Sequence, residues 1–249
     1  MQDPFVKAAV VSRAMEKYNM EFPTEPIDEI IVHTGQHYDD NMSAVFFKEM
    51  QIPAPKHNLK VGSGNHGVMT GQMLVAIEAL LMEEKPDVVL VYGDTNSTLA
   101  GALAAAKLRI PVAHVEGGLR NYDRSIPEEL NRVLTDHLST WIFCPSQISV
   151  DNLAKEGLLE EKREKAKTYV YNVGDVMYDA VCFYRDQVIP GENIRNLVEQ
   201  TGEGFCLTTI HRAGNTDNVA ALKSIFKGLI RISTHIPVII TLHPRTRKM

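Results

Sequence analysis

Four consecutive apolar residues, Val88-Val89-Leu90-Val91, end at a Tyr92-Gly93-Asp94 turn and give way to an alanine-rich stretch over 95–108. An uninterrupted β-branched run of this length marks a strand buried on both faces, which needs helices on either side of its sheet. The same unit recurs along the chain. Strands are expected over 29–33, 111–115, 141–144, 169–173, 205–209 and 238–242. Helices are expected over 5–18, 41–50, 67–84, 127–138, 147–156, 175–185 and 218–233. Asp3-Pro4 fits an N-cap followed by proline in the first helical position. Strands separated by helices predict βαβ units and a parallel sheet. Within 160–165 the mixed charge run reads as a solvated surface segment, and Pro190-Gly191 breaks the pattern.

The fold class is therefore α/β, with two Rossmann-like series. A boundary near Gly174 divides the chain into a first domain, 1–174, and a second, 175–249. A doubly wound domain ordinarily starts on a strand, whereas this chain starts on a helix and stops shortly after a strand, so both ends read as cut. The 249 residues, 44% of them apolar, suffice for a sizeable core without staples. A formal charge of −5 is a poor match to a general nucleic-acid or anionic-membrane binder. No apolar stretch approaches the ~20 residues that span a bilayer. Cys144, Cys182 and Cys206 lie far apart with no Cys-x-x-Cys, which fits a reduced, cytoplasmic protein rather than a disulfide framework or zinc ribbon.

In open parallel sheets, ligands bind beyond the carboxyl ends of the strands. Two motifs sit there. Tyr92-Gly93-Asp94-Thr95 closes the most apolar strand and opens a helix, so Asp94 is either a helix cap or a ligand-facing carboxylate. His114-Val115-Glu116-Gly117-Gly118-Leu119-Arg120 closes the next strand. Asp94 and Glu116 should share one crevice, where like charges raise a pKa and set up an acid/base pair. Pro127-Glu128-Glu129-Leu130-Asn131-Arg132 adds two carboxylates at a helix start, where favourable first-turn charge is the plainer reading. In the second half, His211-Arg212 and His243-Pro244-Arg245 follow strands and suit a base and anion contacts. Gly62-Ser63-Gly64-Asn65-His66-Gly67 matches a dinucleotide fingerprint in letters only. The residues before it are poor strand material, and the next strand-end acid, Asp94, comes too late. His33 and His37 lack a third ligand nearby, so neither metal nor cofactor is expected.

Taken in order, these segments resemble the non-hydrolysing UDP-N-acetylglucosamine 2-epimerase family. They are Val32-His33-Thr34-Gly35-Gln36-His37-Tyr38-Asp39, Val91-Tyr92-Gly93-Asp94-Thr95, the Glu116 and Glu128 motifs, Asn172-Val173-Gly174-Asp175, the segment from His211 to Asn218, and that from His243 to Lys248. The resemblance covers essentially the whole chain. It implies a two-domain fold of GT-B type, a UDP-sugar substrate, usually a homodimer, and a place in surface-polysaccharide precursor metabolism. By position, Asp94, Glu116, Glu128 and His211 match the catalytic residues of the family. Lys7, Arg212 and His243 match ligand-contacting positions, and Gln36 and His37 belong with them as substrate-binding residues.

Three departures stand out. The first strand and Gly-x-Arg-Pro loop of the family are replaced by Met1-Gln2-Asp3-Pro4. Its later uridine-diphosphate segments are absent from a chain that stops at Met249. Gly117-Gly118 stands where Ala-Gly is more usual. At the position of an allosteric-site arginine in some bacterial members stands Gln72, so no activation by a second substrate molecule is expected.

The implied reaction interconverts UDP-GlcNAc and UDP-ManNAc by eliminating UDP across C1–C2 and adding it back. It needs a base at C2, an acid on the opposite face and cations on the departing diphosphate. The alternatives are the 2-epimerase of UDP-2,3-diacetamido-glucuronic acid and a truncated, inactive relative. A UDP-sugar glycosyltransferase of the same fold type is disfavoured by the three carboxylates.

Overall fold

A computed structural model describes residues 4–35, 53–62, 64–159, 168–202, 204–210, 213–242 and 246. The chain divides into two compact units, 1–186 and 187–249. The first therefore runs past Gly174 to Asp186. The expected helix over 41–50 and the charge run over 160–165 lie outside the described residues.

The first unit begins with helix α1 (Pro4–Glu21), followed by a short parallel pair, β1 (Val32–His33) and β2 (His57–Asn58). β1 is shorter than the 29–33 run suggested. β2 falls in the proline- and lysine-containing stretch that reads as poor strand material, where Leu59 and Val61 donate their N–H groups to the carbonyls of His33 and Thr34. Helix α2 (His66–Glu84) comes next. Strand β3 (Val89–Tyr92) leads to α3 (Asn96–Lys107), β4 (Val112–Val115) to α4 (Pro127–Leu138), and β5 (Trp141–Cys144) to α5 (Gln147–Lys155). Strand β6 (Tyr169–Asn172) and helix α6 (Val176–Arg185) complete the unit. The strands form one parallel sheet in the order β3-β4-β5-β6.

This sheet follows the sequence pattern closely, because each strand carries its own local signal. All four residues of β4 are buried. The alanine-rich α3 buries Ala100, Ala102, Ala104 and Ala105 completely or nearly so, and its small side chains let α2 pack close against it. Met73, Ile77 and Leu81 of α2, Val91 of β3 and Val112 of β4 join them in one core cluster. A smaller cluster, Ile142, Cys144, Leu153 and Leu158, lies under α5. Helix α6 packs on α1, where Arg13 donates to the Tyr184 hydroxyl and stacks over Phe183.

The second unit contains α7 (Glu192–Glu199), β7 (Cys206–Thr209), α8 (Ala213–Thr216), α9 (Val219–Ser233) and β8 (Val238–Thr241). Strands β7 and β8 pair in parallel, Cys206 opposite Val238 through Thr209 opposite Thr241. Helix α7 was not anticipated: Pro190-Gly191 reads as a break, but Gly191 is the residue from which the helix starts.

Candidate functional site

The carboxyl ends of β3 and β4 lie side by side, with Tyr92 opposite Val115. Gly93 extends the pairing, its N–H donating to the Val115 carbonyl at 3.0 Å, and turns at φ +64°. Glu116 donates its N–H to the Phe143 carbonyl on β5 and takes φ +70°, the left-handed region that a residue with a side chain rarely occupies. Such strain persists only where surrounding contacts over-determine it.

Asp94 is not the cap of α3. Thr95 fills that place: its hydroxyl accepts from the Thr98 N–H, and the Thr98 hydroxyl accepts from the Thr95 N–H. The Asp94 carboxylate meets Arg132 instead. Nε and Nη2 of the guanidinium approach Oδ2 at 3.0 and 2.6 Å, while Nη1 reaches Glu129 at 3.0 Å. Asn131, one residue earlier on α4, donates to the Asp94 carbonyl at 2.9 Å and to Asn96 at 3.2 Å. The amide of Asn96 in turn reaches His66 Nδ1 at 3.1 Å, which brings the start of α2 to the same turn.

Glu116 meets Lys7 of α1, and both side chains are almost fully buried. A methyl group placed on Gly93 would lie 2.9 Å from Lys7 Nζ and 3.4 Å from Glu116 Oε2, so the Asp94 turn touches this ion pair. Each carboxylate thus has its own cation. The mutual repulsion expected between the two carboxylates is offset by a cation on each, held at adjacent strand ends. The Glu116–Lys7 pair is dry, and such a pair carries a large desolvation cost and is weak evidence for stability, whereas Asp94–Arg132 is partly exposed.

The two glutamates of α4 separate. Glu128 is exposed in the first turn of the helix. Glu129 is 2% exposed and turns back onto the preceding loop, accepting from the N–H groups of Asn121 and Tyr122 and from Arg132. Burial alone raises its carboxyl, but those N–H groups and the guanidinium outweigh it and hold the group below its ordinary value.

Beneath the two turns lies a buried polar cluster that sequence reasoning missed. His114 Nδ1 meets Asp136 at 2.7 Å and Nε2 meets the Gly93 carbonyl at 2.7 Å. Asp136 also accepts from the Gly118 N–H at 3.0 Å and from Arg120 at 2.7 Å. Arg120 continues to Glu156 through two further hydrogen bonds. A Cβ at Gly117 would fall 2.4 Å from Ile142 Cγ2 and 2.7 Å from Asp136 Oδ1, so the glycine pair fits the packing around Ile142. A signal existed: Glu129, Arg132 and Asp136 recur at helical spacing, giving α4 a polar face where an apolar one belongs.

Structurally, Lys7, Asp94 and Glu116 come together. Glu128 lies on the helix that supplies Asn131 and Arg132 to Asp94. Gln36, His37, His211, Arg212 and His243 lie outside the described residues. Among the described residues no group of histidine, cysteine and carboxylate side chains could hold a metal ion, and no helix is long and apolar enough to cross a membrane.

A family model described as UDP-N-acetylglucosamine 2-epimerase matches residues 22–249. The UDP-2,3-diacetamido-2,3-dideoxy-D-glucuronate 2-epimerase of Pseudomonas aeruginosa is 48% identical over 244 residues, which cover 98% of this chain and 64% of that protein. The UDP-N-acetylglucosamine 2-epimerase of Methanocaldococcus jannaschii is 45% identical over 247 residues, again 64% of its length. The crystal structure of that archaeal enzyme with UDP-GlcNAc and UDP superposes with a TM-score of 0.82 over 98% of this chain and 64% of its own. The α/β fold of GT-B type is therefore shared with these relatives, and the chain spans a little under two thirds of their length.

Proposed function

Because this chain belongs to the UDP-N-acetylglucosamine 2-epimerase family, we propose that the protein at its full natural length interconverts UDP-GlcNAc and UDP-ManNAc. The observation that carries the reading is the pair of cation-matched carboxylates, Asp94–Arg132 and Glu116–Lys7, at adjacent strand ends. In the forward direction a carboxylate removes the C2 proton, the C1–O bond to the β-phosphate breaks, and a C1–C2 double bond forms as UDP leaves. UDP then adds back at C1 while a proton is delivered to C2 from the opposite face. Asp94, Glu116 and Glu128 supply the base and the acid. His211 and Arg212 offset charge on the leaving diphosphate, and Lys7, His243, Gln36 and His37 contact the substrate. No cofactor takes part. A homodimer in the cytoplasm, feeding surface-polysaccharide synthesis, is the setting that fits the family.

In deuterium oxide the C2 proton of UDP-GlcNAc should exchange for deuterium as UDP-ManNAc appears, since the proton passes through a solvent-exchangeable group. Product free of C2 deuterium excludes the elimination route. The Pseudomonas relative supports a second substrate, a UDP-2,3-diacetamido-glucuronate, at 48% identity against 45% for the archaeal enzyme. Offering both sugars and comparing kcat/KM decides between them.

A further inference from the structure

His114 has no solvent exposure, yet both its ring nitrogens face acceptors: a carboxylate oxygen of Asp136 and the peptide carbonyl of Gly93, each at 2.7 Å. A peptide carbonyl can only accept, so Nε2 carries the hydrogen that meets Gly93, while Nδ1 faces the Asp136 carboxyl. Arg120 is a cation on that carboxylate and also holds Glu156, and Cys144 of β5 is a further titratable neighbour, its thiol pushed up to about 12 by burial. A fully buried histidine–carboxylate pair is costly unless it serves a purpose that apolar packing would not.

The purpose lies in what the pair grips. The Gly93 carbonyl belongs to the peptide group whose nitrogen is that of Asp94. The other Asp136 oxygen holds the N–H of Gly118, two residues beyond Glu116. We propose that His114 and Asp136 are a positioning pair for the two strand-end carboxylates, His114 fixing the Gly93–Asp94 peptide and Asp136 fixing the turn after Glu116. What is positioned rests on the function proposed above; the grip itself does not. Neither residue touches substrate in this scheme. Both act through the backbone of the residues that do, and backbone contacts of this kind hold a turn in a geometry its own dihedrals disfavour.

Two variants separate positioning from bulk stability. His114→Gln places an amide N–H near the Nε2 position and keeps the donor to Gly93. His114→Asn places it near Nδ1 and loses that donor. In the full-length protein, His114→Asn should lower kcat for C2 exchange about 100-fold with KM within about threefold, as expected for a small displacement of a reacting group. His114→Gln should recover most of kcat. The amide nitrogen resonance of Asp94 should move in the Asn variant and return toward its original position in the Gln variant. Equal kcat in the two variants, kcat that simply follows their melting temperatures, or an unmoved Asp94 amide overturns the proposal. If the unmodified protein exchanges no C2 proton, the proposed function fails, and the Asp94 resonance still decides the positioning claim. If neither variant folds, the unmodified protein serves: a nitrogen-15 spectrum should show hydrogen on Nε2 of His114, and a bare Nε2 overturns the proposal.

Discussion

A methyl group on Gly118 would sit 2.5 Å from the Ser149 carbonyl oxygen, whereas on Gly93 it would meet the flexible end of Lys7 at 2.9 Å. Both glycines have positive φ, +78° and +64°, so both substitutions carry backbone strain. Only at Gly118 is the obstacle main chain, which cannot step aside. Gly118→Ala should cost about 3 kcal/mol or more and Gly93→Ala about 1–2 kcal/mol. Chemical denaturation of the two variants checks the order. Asp136 makes a pH-dependent prediction. Burial raises its carboxyl, but His114 and Arg120 outweigh burial and hold it below 3.8. A depressed folded-state value means that the stabilisation is whole above the unfolded value and drains as pH falls through the folded one. Asp136→Asn should therefore cost about 3–5 kcal/mol at neutral pH by stranding the buried Arg120 guanidinium, and the deficit should shrink below pH 3.8 in an acid denaturation series. Of these residues, the sequence marks Asp94 and Glu116 by their strand-end positions. It leaves Asp136 unmarked, because its partners lie 16 and 22 residues upstream at Arg120 and His114 and meet it only in the folded core.

Among the elements, α3 and α4 decide the site. Thr95 and Thr98 cap α3 reciprocally, leaving Asp94 free to pair with Arg132. Thr95→Ala should cost about 1 kcal/mol of stability. Arg132→Met should cost about 1–3 kcal/mol, because the guanidinium also serves the buried Glu129 carboxylate, whose two loop N–H partners remain, and it should lower kcat of the proposed reaction by misplacing Asp94. Melting temperature and C2 exchange, measured on both variants, test the contrast: exchange should fall in the Arg132 variant and hold in the Thr95 variant. The elements of the four-stranded sheet were legible within a residue or two, because buried parallel strands write continuous apolar runs. Helix α7 and strand β2 were not. Strand β2 is held by main-chain bonds that leave no side-chain pattern; α7 does carry a stripe, Ile194, Leu197 and Val198 at i, i+3 and i+4, but it is only two turns long and follows directly on the Pro190-Gly191 break that masked it.

At the scale of the whole molecule, the two units differ in how much they bury. Among the described residues, the first holds both hydrophobic clusters, while the second pairs two strands and leaves Leu207 and Val219 more than half exposed. Amide hydrogens of β7 and β8 should exchange well before those of β4 and β5, and limited proteolysis should cut first around Val188 and Ile189, which are 64% and 85% exposed. Glu116 joins the strained backbone of the first unit to its buried charge. A glycine there would relax the left-handed backbone, and removing Lys7 with it would spare the desolvation of two ions. The double variant Lys7→Met/Glu116→Gly should match or exceed the parent in stability while losing C2 exchange. A breeder of heat-resistant variants who screened for survival alone would find this pair among the earliest discards, and would end with a sturdier protein that has forgotten its trade.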